Sequence, residues 1–335
     1  MPSLERESNR IVIAGASSLL GAELKSLLEE SRFAAADFRL LDEELAAGTL
    51  TEAGGEPAVI QPVEEGSFER ARFVFFTGSG EFTRRNVVGA RRGGAKIIDL
   101  SGGIAGEAGT VAWFPKLDAL LERQFPGAAE AYMVPSAAGT EAAALSLALS
   151  KNGLRKLAMI FFQSVSEAGR AGIEELESQT GELLSFQNIG QPVFDTQVAF
   201  NLLDRFGPES AQKLGAIRER WRAETRACLG ENVAQPSIQA VHAPVFYGTA
   251  FAAWAELEAG ADAGKISEAC RGAGFAMSDE SDAGPSNVSA AGEKSVQLAR
   301  PEADPGQPGR WWFWGAADNI RLPAANAVKL AEMLT

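Results

Sequence analysis

Short apolar runs alternate with amphipathic segments along the first part of the chain. The runs at 11–13, 38–41, 72–76 and 95–100 are nearly continuous in apolar residues, as strands buried on both faces of a parallel sheet are. Apolar residues recur at helical spacing after 21 and over 82–92, whereas 51–67 is typical of an edge hairpin or loop. This alternation predicts an open α/β sheet with helices on both faces.

Strand and helix patterns also alternate in the second part of the chain, and this alternation predicts a second α/β domain. Strands are expected at 156–163, 241–247, 251–257 and 311–314, an Ala/Leu-rich helix after Gly139, and further helices at 173–184, 218–229, 265–271 and 319–334. The run at 311–314 is Trp-Trp-Phe-Trp and carries bulky apolar groups on both faces. Both faces should therefore be covered, by helices or by a partner.

The turn between the first strand and the first helix has the pattern of a dinucleotide-binding fingerprint. Gly15 and Gly21 bracket it, but Ser18 stands where a middle glycine is usual. A serine Cβ narrows the approach to a phosphate, although its hydroxyl offers a donor. Asp42 follows about 20 residues later, where an acidic side chain binds a ribose 2′-hydroxyl. A turn kept for packing alone and a solvated acidic loop are the alternatives.

Composition narrows the class of protein. The net charge of −13 opposes binding to nucleic acid or an anionic membrane. Only two cysteines, Cys228 and Cys270, are present, so no disulfide framework is expected and both are predicted to be packing residues. The first ten residues lack the apolar core of a signal peptide, and no apolar run reaches membrane-spanning length. We expect a cytoplasmic protein without a metal site.

Motifs along nearly the whole length resemble the aspartate-semialdehyde dehydrogenase family. The turn 15–21 corresponds to its GATGAVG, 163–169 to QAVSGAG, 197–201 to QIAFN, 224–226 to ETR and 318–321 to DNLR. The resemblance implies a Rossmann domain of 1–134 plus 318–335, a substrate and dimerisation domain of 135–317, and a homodimer. The turn and the resemblance together place nucleotide contacts at Gly15, Ser17, Ser18, Leu19, Leu20, Gly21, Asp42, Thr77, Gly78, Ser101 and Asn319.

The departures from the family pattern fall on the chemistry. The family oxidises an aldehyde to an acyl phosphate through a cysteine thiolate and a histidine base. Ala137 stands at the position of the cysteine and Thr249 at that of the histidine. Of the substrate positions, Gln163 is kept, Arg220 replaces a phosphate-site lysine, and His242 replaces the arginine that would hold the substrate carboxylate.

These departures favour a catalytically degenerate member of the family. An NAD-dependent oxidoreductase that acts on another small carbonyl compound without a thioester is the alternative. A hydroxyl nucleophile at Ser136, Thr140 or Thr249 would need an adjacent base, and the sequence places no histidine or carboxylate beside them.

NAD is favoured over NADP if a dinucleotide binds. A 2′-phosphate would meet Asp42 and Glu43, with Leu45 at the position of the family's arginine and no cation predicted nearby.

Overall fold

A computed structural model describes residues 9–231, 233–258, 260–278 and 283–335. They form two compact units, which we call the first and the second unit. The first comprises residues up to Phe114, Phe125–Val134 and Pro323–Thr335, and the second Pro115–Gln124 and Pro135–Leu322. The predicted division differs from these units over 115–124 and 318–322 and stays a prediction. The start of the chain, where no signal peptide was expected, lies largely outside the described residues.

The first unit contains a seven-stranded parallel sheet with strand order β5-β2-β1-β6-β7-β9-β8 and a separate hairpin, β3–β4. Its elements are β1 Arg10–Ala14, α1 Leu19–Glu29, β2 Asp37–Asp42, β3 Leu50–Ala53, β4 Glu56–Val59, β5 Gln61–Pro62, β6 Ala71–Phe76, α2 Gly80–Arg92, β7 Lys96–Asp99, β8 Thr110–Ala112, β9 Ala131–Met133 and the greater part of α8 Arg321–Met333.

Helices cover both faces of this first sheet, as the alternating pattern predicted. Ile13 and Phe75 are buried on one face with Leu24 of α1. Val74 is buried on the other face with Val87 of α2. Because each fully buried side chain of this size contributes about 1.5–3 kcal/mol, the two apolar layers fix the strands whose ends carry the glycine turn.

The second unit contains a mixed sheet with strand order β11-β10-β12-β16-β14-β13, in which β15 pairs with β16. Its elements are α3 Leu117–Leu120, α4 Ala137–Ser150, β10 Lys156–Gln163, α5 Gly169–Leu184, α6 Leu214–Leu229, β11 Ser237–His242, β12 Thr249–Glu256, α7 Ala263–Gly272, β13 Ala276–Met277, β14 Gln297–Leu298, β15 Glu302–Ala303 and β16 Arg310–Ala317.

Helices bury one face of this second sheet and leave the other partly exposed. Trp221 of α6 packs on Phe161 with their ring centroids 5.4 Å apart. On the opposite face Ile160, Trp312 and Trp314 are 44%, 47% and 39% exposed. The register places Trp314 opposite Ala252, which in turn lies opposite Ile160, so the exposed side chains form one apolar surface across three strands. We call it the tryptophan face.

The prediction of a strand at 241–247 is wrong in its position. β11 ends at His242, five residues before the predicted end. Pro244 lacks an N–H to donate to a ladder, and the chain turns there, with Val245 N–H donating to Ala243 O at 2.8 Å.

Candidate functional site

The predicted nucleotide residues of the first unit lie at the carboxyl ends of adjacent strands. Gly15 follows β1, Asp42 ends β2, Thr77 and Gly78 follow β6, and Ser101 follows β7. These strands are neighbours in the order β2-β1-β6-β7, and the chain changes direction between β1 and β6. Nucleotides bind at such switch points of open α/β sheets.

The glycine turn is closely packed against the loop after β6. Gly15 has φ +97°, and a Cβ there would lie 2.2 Å from the backbone nitrogen of Gly78. A Cβ on Gly21 would lie 2.5 Å from Gly15 O and 2.9 Å from Thr77 Oγ1. Both glycines are therefore required by packing before any ligand is considered.

The hydroxyl of Ser18 is committed to the protein. It accepts from Gly21 N–H at 2.9 Å as the N-cap of α1, and it lies 2.8 Å from Gly15 O and 3.0 Å from Thr77 O. The N–H groups of Leu19 and Leu20, in the first turn of α1, have no intrahelical acceptor. The turn therefore fits a pyrophosphate through these backbone donors and the helix dipole, not through the Ser18 hydroxyl.

Asp42 is buried, so the solvated acidic loop considered for it does not form. Its Oδ2 accepts from Ser17 N–H and its Oδ1 from Glu43 N–H, each at 2.8 Å. The prediction that no cation lies near was wrong: Arg85 of α2 pairs with Glu43 at 2.5 Å. Both side chains of the pair are about half exposed, so little free energy is needed to separate them.

Thr77 and Ser101, which were also predicted to contact the nucleotide, form hydrogen bonds within the protein. Thr77 Oγ1 donates to Gly15 O at 2.9 Å. Ser101 Oγ donates to Asp99 Oδ1 at 2.6 Å and lies 2.8 Å from Thr83 Oγ1. Burial raises the pKa of Asp99, against the lowering effect of these hydrogen bonds. These side chains shape the carboxyl edge of the sheet.

The predicted substrate positions of the second unit form a row across three strands. Gln163 ends β10 and pairs in register with His242 of β11 and with Thr249 of β12. All three are at least 98% buried, and residues directly opposite each other share a face. Gln163 Oε1 has no hydrogen-bond partner among the described residues. The row therefore contains one buried amide oxygen whose capacity to accept a hydrogen bond is unused among the described residues.

His242 is a packing residue in this row. Its Nε2 donates to Val198 O at 3.1 Å, and its ring lies among Phe194 and Phe206, with centroids 6.2 and 5.6 Å away. Burial lowers its pKa, which keeps the imidazole neutral at pH 7. A neutral ring in an aromatic pocket does not replace an arginine as the anchor of a carboxylate.

Asn319, predicted to contact the nucleotide, ties together two loops of the second unit. Its Oδ1 accepts from Gly248 N–H at 2.8 Å, and its Nδ2 donates to Ser166 Oγ at 3.0 Å. The loop before β12 is thereby fixed to the turn after β10, so Asn319 positions the backbone at Thr249.

The start of α4 holds Ala137 and a set of charges that sequence reasoning missed. Ala137 is the first residue of the helix and is 1% exposed. Ser136 caps the helix and contacts Glu224 of α6, whose Oε1 lies 3.5 Å from Nε of Arg220. Arg220, predicted at a phosphate position, also pairs with Glu167 at 2.9 Å. Its guanidinium is thus held by two carboxylates.

One turn after Ala137, α4 carries another buried acid, Glu141, in addition to Glu224 of α6. Glu141 is completely buried, and neither carboxylate oxygen has a hydrogen-bond partner in the described part of the chain. Desolvation raises its pKa well above 4.5. The carboxyl group is therefore protonated over much of the pH range in which surface acids are ionised.

Both cysteines are buried, as the sequence predicted. Burial raises the pKa of Cys270 to about 12 and that of Cys228 further, with Glu224 adding to the latter shift. Neither is a thiolate near neutral pH. Within the described ranges, no group of three metal-binding side chains occurs, and no helix has the length and hydropathy needed to cross a bilayer.

Comparison with known proteins gives the family. Residues 10–122 match the semialdehyde dehydrogenase NAD binding domain, and residues 147–322 match the semialdehyde dehydrogenase dimerisation domain. The chain therefore belongs to the semialdehyde dehydrogenase family. The resemblance and the α/β fold inferred from the sequence are confirmed.

Similar proteins match from end to end. A USG-1 protein homolog of Pseudomonas aeruginosa is 28% identical over 329 residues, covering 97% of each chain. Aspartate-semialdehyde dehydrogenase 2 of Vibrio cholerae is 27% identical over 345 residues, again covering 97% of each. The structure of a probable aspartate-semialdehyde dehydrogenase from P. aeruginosa superposes with a TM-score of 0.85 at 28% identity, covering 97% of this chain and 98% of that one.

Proposed function

We propose that this chain is a homodimeric, nucleotide-binding member of the family that has lost the thiol-dependent oxidation of aspartate semialdehyde to an acyl phosphate. The observation that carries the proposal is Ala137 at the start of α4, where the resemblance places the nucleophile. Its methyl group has no atom on which a thiohemiacetal can form. Cys228 and Cys270, the only thiols, are buried with raised pKa values and cannot substitute.

The base and the substrate anchor are absent together with the nucleophile. Thr249 does not titrate near neutral pH, and His242 is neutral and enclosed by aromatic rings. Residues that act as a unit lose activity non-additively, so removal of the nucleophile alone lowers the rate by about 10⁶-fold. Phosphate-dependent reduction of NAD or NADP with aspartate semialdehyde tests the proposal. Turnover of about 1 s⁻¹ or more would contradict it.

Nucleotide binding rests on the glycine turn and its position beside β6. A bound nicotinamide nucleotide would supply a hydride acceptor, and the first-turn N–H groups of Leu19 and Leu20 would hold its pyrophosphate. We propose that NAD binds more tightly than NADP, since the carboxylates of Asp42 and Glu43 at the predicted 2′ position would repel a 2′-phosphate. Isothermal titration with each nucleotide decides between them, and tighter NADP binding would overturn the preference.

Homodimerisation is supported by the tryptophan face and by the match to a dimerisation domain. Contiguous apolar surfaces of this kind are typical of subunit interfaces. Light scattering at micromolar concentration should give twice the chain mass, and a monomer would contradict this part of the proposal. We place the protein in the cytoplasm on its composition, which includes only two cysteines.

A second candidate activity is NAD-dependent reduction of another small carbonyl compound. It is favoured by Gln163, whose buried Oε1 has no partner in the described structure. Such a group is left unsatisfied unless a ligand donates to it. Hydride transfer to a panel of aldehydes and ketones tests this candidate, and Gln163→Leu should abolish any activity found.

A further inference from the structure

A hydroxyl and a buried carboxylate meet directly before Ala137. Ser136 Oγ donates to Glu224 Oε2 at 2.5 Å, and the backbone N–H of Ser136 donates to the same oxygen at 3.0 Å. Glu224 is completely buried, whereas Ser136 retains 8% exposure. The sequence indicated no base beside this hydroxyl, because Glu224 lies 88 residues away along the chain.

We propose that Ser136 is an acyl-accepting nucleophile with Glu224 as its general base, and that it cleaves small uncharged carboxylic esters. A hydroxyl becomes a useful nucleophile when a neighbouring group takes its proton. The base is in turn oriented, because Arg220 lies 3.5 Å from Glu224 Oε1 and pairs with Glu167 at 2.9 Å. In space, the nucleophile thus contacts the base, and the base contacts the group that orients it.

The local structure is built to admit the carboxylate. A Cβ at Gly139 would lie only 2.6 Å from Glu224 Oε2, so a larger residue there would displace it. Burial raises the pKa of Glu224, although Arg220 and Ser136 oppose the shift, and a higher pKa makes the carboxylate a stronger base. Ser136 Oγ also accepts from Gly139 N–H at 3.2 Å, a long contact that leaves a second lone pair for attack.

The helix end and the charge balance suggest the substrate class. Ala137 and Ala138 begin α4, and first-turn N–H groups without intrahelical acceptors stabilise a developing oxyanion. The Arg220 guanidinium is neutralised by Glu167 and Glu224. A charged acyl group would therefore find no compensating partner in this cluster, which favours an uncharged ester.

The reaction proceeds in two balanced steps. Ser136 Oγ forms a bond to the ester carbonyl carbon as its proton passes to Glu224, and the bond to the leaving alkoxide breaks as that oxygen receives a proton. Water then attacks the acyl-serine ester and gives a proton to Glu224. The bond to Oγ breaks, Oγ is reprotonated, and the carboxylic acid leaves. No oxidant, reductant or nucleotide is required.

The test uses the full-length protein with p-nitrophenyl acetate, following p-nitrophenol release and locating the acetyl group by peptide mass spectrometry. Wild type should acetylate at Ser136. Ser136→Ala removes the nucleophile, and Ser136→Asn does so while keeping an N-capping side chain, which separates chemistry from loss of the helix cap. Both should lower the rate about 100-fold or more, as should Glu224→Gln, which retains an acceptor but no base.

The control is Ser146→Ala, which removes another buried hydroxyl of α4, one that donates to Ala142 O at 2.8 Å. It should leave release and labelling unchanged. Acetylation confined to other residues, no release above that of Ser136→Asn, or full activity in a folded Glu224→Gln would each overturn the proposal. Nucleotide affinity and chain mass, measured on the same samples, report on the proposed function independently.

Discussion

Replacing the buried acid of α4 should stabilise the protein in a way that depends on pH. Glu141 has no hydrogen-bond partner in the described structure, and its folded-state pKa is raised well above 4.5 by burial. An acid with a raised folded-state pKa keeps its proton on folding, whereas the unfolded chain releases it above about 4.3. The contribution of Glu141 to stability is therefore most favourable below that pH and declines as the pH rises towards the folded-state pKa.

Two variants separate the contributions. Glu141→Gln removes ionisation but leaves an unsatisfied amide, so its gain over wild type should be small at pH 4.5 and grow by about 1.4 kcal/mol per pH unit up to the folded-state pKa. Glu141→Met matches the side chain in length and removes the polar atoms as well. It should add a further pH-independent gain of about 1–3 kcal/mol.

Urea unfolding of the three proteins between pH 4.5 and 8 measures these differences. Other buried acids, such as Asp99 and Glu224, contribute equally to each protein and cancel in the comparison. Glu177→Gln, on an exposed position of α5, is the matched control and should leave stability within about 0.5 kcal/mol at every pH. A gain from Glu141→Gln that does not change with pH would refute the reasoning.

Three further predictions concern the family chemistry, the nucleotide and the dimer. Ala137→Cys alone should not restore phosphate-dependent oxidation of aspartate semialdehyde, because the base is still missing at Thr249; a rate above about 1 s⁻¹ would contradict this. Glu43→Gln should raise the affinity for NADP relative to NAD about tenfold, or ~1.4 kcal/mol, because it removes a negative charge from the predicted 2′ position; an unchanged ratio in titrations would count against that role of Glu43. Trp312→Glu should shift light scattering towards the monomer mass, while Phe186→Glu, 99% exposed beyond the end of α5, should not; equal behaviour of the two would place the interface elsewhere.

Local sequence patterns predicted some elements well. β10 has the predicted bounds of 156–163, and the hairpin or loop expected over 51–67 overlaps the β3–β4 hairpin, which begins one residue earlier at Leu50. The strand at 241–247 failed because an apolar run outweighed Pro244, which cannot donate to a ladder.

Contacts between distant segments were beyond the reach of sequence patterns. Arg85 lies 42 residues from Glu43, and Ser136 lies 88 residues from Glu224. Neither spacing carries a signal, because only the tertiary fold brings these groups together. One clue was visible for Glu141, as a single acid within an otherwise small and apolar helix, but its burial depends on the elements that surround α4.

The row of Gln163, His242 and Thr249 bears on how new activities arise in this architecture. Each residue lies at the end of its strand, while the apolar contacts that hold β10 and α6 together, such as Phe161 against Trp221, lie farther along. All three residues are buried, so a substitution in the row changes the packing around it as well as the chemistry. The same scaffold can host a different reaction only if the new side chains also fit the enclosed space at these strand ends, so volume and chemistry have to change together at this row.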